Sequence, residues 1–401
     1  MSGRSLGFAL ALVAVAVPQL LQAQGKIDLP VPLSTLEKQV KADSNDPAAH
    51  YNVALGYWNA KKWPDVDREL HAAVALDPRF AAAHLALAYL PFARDRHMLD
   101  GITRIDAQTP KSIRDAIDQK TREFRHAFLI DPMVDMRIMA ANDISVDYWT
   151  MHDAFGQSDA ALIEGLTDCE EGHYADCETN LDVYIKAYGN NARIQADVPE
   201  QVLWFDGLAA AHQKNYASAI AQFQQLIVRD SIAAAKAEKK DVIHFPIRSN
   251  EYRYFVGVLQ ADAGNGDAAI ATLHDALEHD LSLYIAHVRL AEIYESRKDF
   301  DHAVEERRNA VNANPDDPTL NVDLGVTLGR AGRFAEAGDA LKTAVQVLPR
   351  DPDAWYWYGI AMQQLGRTDE ARKAFGEVVA VAPSRMAQRA EQARQHLAAL
   401  K

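Results

Sequence analysis

The sequence predicts an all-α protein built as an array of helical repeats, on three observations. Residues recur at a spacing of 34: Pro315, Pro349 and Pro383, Gly325 and Gly359, Gly332 and Gly366, and Ala269, Ala303, Ala337 and Ala371. Such a period marks one supersecondary unit used repeatedly, which breaks the usual link between length and domain number. The composition is globular, with 401 residues, 48% hydrophobic and 24% charged, enough apolar surface for a large core. Within a unit, small residues at the eighth and twentieth positions let two helices approach, and larger ones at the seventh and twenty-fourth fill the space between them. A proline just past the second helix stops it, because it cannot continue the hydrogen-bond ladder.

Taken in order, residues 1–24 read as a signal peptide. Arg4 is the only charge before Lys26, and Leu6 to Val17 is a run of 12 apolar or Gly residues followed by Pro18 and a small residue, Ala23. Twelve helical residues reach only ~18 Å against a ~30 Å hydrocarbon core, so cleavage is expected rather than anchoring. The mature chain is expected to be exported and soluble, periplasmic or secreted, without stable membrane insertion. Repeat units then start at Pro47, Ala81, Ser158, Glu200, Asn250, Tyr284, Pro318 and Pro352. The second is expected to be interrupted by Pro91. Residues 25–132 hold N-terminal repeats with an insert near 91–112, and 133–249 an irregular helical region and repeats with an insert near 231–249. Residues 250–383 form four regular units, and 384–401 a capping helix with Ser384 as N-cap and Met386, Ala390, Ala393 and Leu397 on its apolar face.

The last full unit reads Pro-Asp-Ala-Trp-Tyr-Trp-Tyr-Gly from Pro352 to Gly359 and continues with Gly366, Ala371, Phe375 and Pro383. In these residues, and in the register kept over three prolines and four alanines, the chain resembles the tetratricopeptide repeat family. The resemblance implies a right-handed superhelical solenoid of antiparallel hairpins whose first helices line a concave face. It also implies a protein or peptide partner on that face. The expected groove residues are Tyr51, Trp58, Tyr89, Trp204, Tyr254 and Tyr356, aromatics that supply contact area for little ordering entropy. The Lys, Arg and Asn pattern of the family's peptide-carboxylate clamp is missing, so recognition of an acidic chain terminus is not expected.

Other residues were weighed for chemistry. Cys169 and Cys177 admit three readings: buried thiols, a disulfide clamping a hairpin, or thiolate ligands that bind a metal with His173. The Arg94, Asp95, Arg96, His97 cluster beside Asp100 reads as a solvated turn before it reads as an acid-base site. His50, His84 and His287 recur at the fourth position of their units, which points to packing. Asp43, Asp46, Asp77, Asp131, Asp280, Asp316 and Asp351 fall at hairpin junctions, where they are expected to cap helices. There is no phosphate-binding Gly loop, no Gly-x-Ser-x-Gly and no His-Glu-x-x-His, so no enzyme, cofactor or metal is expected. A net charge of −14 argues against a nucleic-acid partner. Two alternatives stay open. One is a catalytic or metal site in the 91–157 region or at Cys169, His173 and Cys177. The other is a self-assembling structural subunit whose inner wall is filled by its own chain or by another copy.

Overall fold

The computed structural model describes residues 31–95, 97–99, 108–134, 157–189, 200–238 and 249–400, with Ile27, Leu29, Ile138 and Val198. The expected signal peptide and parts of both inserts, including Arg96 and Asp100, lie outside the described residues. Among the described residues there is no strand. After α1 (Leu33–Ala42) come, among the described residues, eight antiparallel hairpins. They are α2/α3 (Pro47–Asn59, Trp63–Leu76), α4/α5 (Ala81–Arg94, Lys111–Ile130), α6/α7 (Gln157–Glu171, Tyr174–Gly189) and α8/α9 (Glu200–His212, Tyr216–Glu238). Then follow α10/α11 (Ser249–Asp262, Gly266–His279), α12/α13 (Tyr284–Ser296, Phe300–Ala313), α14/α15 (Thr319–Arg330, Phe334–Val347) and α16/α17 (Pro352–Gln364, Thr368–Val381). The cap, α18 (Ala387–Ala399), closes the array, so the all-α solenoid of hairpins stands as the sequence predicts.

Seven of the eight hairpins turn through a residue with positive φ at the same position. It is Gly172, Gly264, Gly332 or Gly366 in four of them and Lys61, Lys214 or Lys298 in three. The next amide reaches back into the first helix, as in Lys62 N to Tyr57 O at 2.9 Å and Arg367 N to Met362 O at 2.9 Å, which satisfies carbonyls the helix end leaves open. The eighth-position glycines hold the helices of a pair close: a Cβ on Gly359 would sit 2.8 Å from the Phe375 ring.

Three expectations need correction, and part of one insert takes the form of a longer helix. Helix α4 runs through Pro91 to Arg94, since proline's missing N–H frees the Leu87 carbonyl and the Gln119 side-chain amide of α5 donates to it at 2.9 Å. Part of the second expected insert, residues 231–238, simply lengthens α9 to 23 residues. Ser384 caps no helix: it opens a short 3₁₀ turn, Ser384–Met386, and its backbone N–H donates to Asp43 instead. Asp46 and Asp351 do cap α2 and α16 through their side chains, whereas at the α13–α14 junction Asp317, rather than the expected Asp316, accepts from Thr319 N at 2.9 Å. The recurring histidines pack as expected, and each also meets a carboxylate of its hairpin's second helix. The pairs are His50 with Glu69, His84 with Glu123 and His287 with Glu306, at 2.7, 2.8 and 2.6 Å.

Long-range contacts show how the array is bent. Asp43 and Asp46 meet Ser384 and Arg385, Arg79 meets Asp323, and Leu129 and Ile130 meet Tyr254 and Arg289. Sequence separation falls along this series from 341 to 244 to 125. That order is antiparallel. An N-terminal arm (residues 33–134) lies back along a C-terminal arm (249–399), and the hairpins between them make the bend. One apolar core runs continuously from Ile27 to Leu320, and a second fills the last two hairpins and the cap.

Candidate functional site

The site is the wall formed by the first helices, read together with the seam where the arms meet. At the base of the seam, α5 presses its last turns onto that wall. Phe124 and Phe128 lie 6.3 and 5.9 Å from the Trp204 ring, and Phe128 meets Phe255 edge-on at 5.3 Å. The Tyr254 hydroxyl donates to Leu129 O at 2.9 Å and accepts from Arg289 Nε at 3.2 Å, while Arg289 also donates to Ile130 O at 3.1 Å. Beside them Arg125 pairs with Glu251 at 2.6 Å. Further out, Arg79 reaches Asp323 at 2.6 Å and Asp317 at 3.6 Å. Burial works against its charge, but the two carboxylates outweigh it and hold the guanidinium above its ordinary pKa.

The six expected groove residues therefore divide. Tyr254 is fully buried, and Trp58 and Tyr89 are 3% and 4% exposed, Trp58 against Trp63 and Tyr89 beneath the Lys120 ammonium. Their burial corrects the expectation of one open aromatic row: in this conformation they present no surface to a partner. Tyr51, packed edge-on to Phe80, and Trp204 are half-buried, as is Tyr356. Tyr356 sits in different company, under the Arg389 guanidinium at 4.3 Å and beside Trp357, over which Arg330 lies at 5.9 Å. Val326 and Ile360 are half-buried one helical turn from Arg330 and Tyr356, which completes the patch. The sequence signal for it was the Trp-Tyr-Trp-Tyr run at 355–358; the arginines carried none.

Cys169 and Cys177 are both fully buried and are joined across the Gly172 turn, their Cα atoms 5.0 Å apart. His173 stays largely exposed near Asp168. Among the described residues no group of three or more His, Cys, Asp or Glu side chains is placed to hold a metal ion. In the first insert, Asp95 accepts from His97 N at 3.1 Å and closes a local turn. A residue that sequence reasoning missed is Asp206 on α8, only 1% exposed. Burial, with Asp182 and Glu178 adding like charge, pushes its carboxyl up to about 7. Gln222 donates to one of its oxygens and the other has no partner.

Two tetratricopeptide repeat family models match the chain, over residues 257–318 and 330–394. Residues 257–318 and 330–394 are tetratricopeptide repeats, and these repeats support a protein-interaction scaffold. No curated protein matches it. Among solved structures it is similar to MamA MSR-1 C2, at 20% identity over 45% of this chain and 95% of that one, with a TM-score of 0.34. MamA 41-end from Desulfovibrio magneticus RS-1 is 17% identical over 45% of this chain and 92% of that one, with a TM-score of 0.34. The C-terminal part of a TPR repeat-containing protein from Cytophaga hutchinsonii is 12% identical over 54% and 77%, with a TM-score of 0.42. Among the described residues no helix is long and apolar enough to cross a membrane.

Proposed function

We propose that the protein is an exported, non-enzymatic scaffold that binds a protein or peptide segment on the inner wall of its last two hairpins. The observation that carries this reading is the half-exposed Tyr356, Trp357 and Ile360 patch, with Arg389 and Arg330 stacked on its aromatics. The aromatic faces offer a segment apolar anchor points, while the guanidinium groups that flank them are paired within the chain, Arg389 with Asp353 and Arg330 with Glu295. Tyr51 is also half-buried, while Trp204 already carries Phe124 and Phe128 on its ring. The wall is a preformed stack of helices, so docking orders little of the scaffold itself.

The test is a crosslinking pull-down from the exported fraction of the native cell, comparing the mature protein with a Tyr356→Ala, Trp357→Ala variant of unchanged circular dichroism. A partner captured by the first and lost with the second supports the reading. Equal capture by both sinks this placement of the site. The reading of a wall filled by the chain itself also has a specific observation in its favour, the α5 residues seated on Trp204 and Tyr254. The two readings are compatible if the filled part and the binding part differ, as the burial pattern has it.

A further inference from the structure

The seam changes character along its length. Its base is dry, with Phe128, Phe255 and Tyr254 all buried. Its tip is held by polar contacts alone: Ser384 N donates to Asp43 Oδ2 at 2.6 Å, and Arg385 Nε donates to Asp46 Oδ1 at 2.7 Å. The Arg385 side chain is 51% exposed. A polar cleft of about 370 Å³ opens beside these contacts, lined by Asp43, Ser44, Asn45, Ser384 and Arg394 among others. Between tip and base, Arg79 bridges the arms to Asp317 and Asp323. Exposed ion pairs contribute little and are screened by salt, whereas a dry aromatic contact is indifferent to it.

From this gradient we infer that the tip is an electrostatic latch. The arms part there, pivot on the dry base, and uncover inner wall that the closed arms hide. The wall so uncovered, around Asp317 and Asp323, adds to the surface a partner segment can use, a step that rests on the scaffold reading above; the opening itself is a property of the chain alone.

Small-angle scattering of the full chain tests it, from about 0.01 to 1 M salt, over which the Debye length falls from ~30 to ~3 Å. The radius of gyration is expected to rise with salt while helix content stays constant. Arg385→Glu, which sets a carboxylate against Asp46, should start near the open value at low salt. Arg79→Glu should open further, and Arg79→Glu with Asp323→Arg should close again. A radius that stays constant with salt, in the wild-type chain and in a folded Arg385→Glu, overturns the latch even if Arg79→Glu does not fold. Opening without partner capture would keep the latch and sink the partner reading; capture by a chain that never opens would do the reverse.

Discussion

Asp206→Asn is expected to stabilise the protein at pH 8 and to do so much less at pH 5. Asp206 is buried against α9; burial and the like charges of Asp182 and Glu178 outweigh what Gln222 and the Lys186 ammonium offer its ionised form. Unfolded, it ionises near its ordinary 3.8; folded, it holds its proton to about 7. Between those values the folded state binds more protons than the unfolded one, so stability falls as pH rises through that window and is level above it. The gap is about three pH units; at ~1.36 kcal/mol per unit, ionised Asp206 costs roughly 4 kcal/mol above pH 7. Asparagine keeps an oxygen for Gln222 and cannot ionise. It should recover much of that cost at pH 8 and less than half of it, about 1.6 kcal/mol, at pH 5, only about one unit above the unfolded value. The assay is urea unfolding followed by circular dichroism, for both proteins at both pH values. Midpoints are compared because a repeat array need not unfold in one step. A variant effect of equal size at pH 5 and pH 8 refutes the reasoning.

Three further outcomes follow from local structure. Lys214→Gly should raise stability by about 1 kcal/mol, because Lys214 holds φ at 62°, where a Cβ is disfavoured; thermal denaturation checks it. Gln119→Ala should cost roughly 1–3 kcal/mol by leaving the Leu87 carbonyl below Pro91 without its donor, read from urea midpoints. Denatured, unreduced protein should show no free thiol and reduced protein two, from Cys169 and Cys177. Closing so short a loop should then contribute about 2–3 kcal/mol, measured as the midpoint shift on reduction.

The sequence by itself determined the repeat. Its period fixed the hairpins, the glycines at the close helix crossings and the positions of the turns, because those depend on residues within one unit of 34 or on the unit next to it. It also marked the cysteine pair and the aromatic run at 355–358. Only the tertiary structure decided which aromatics remain open. Tyr254 and Tyr356 occupy the same position in their units, yet one is sealed beneath Leu129 and the other lies under Arg389. What separates them is the bend that lays one arm on the other. That bend joins Arg79 to Asp323 across 244 residues, and a period of local contacts carries no record of so distant a pairing.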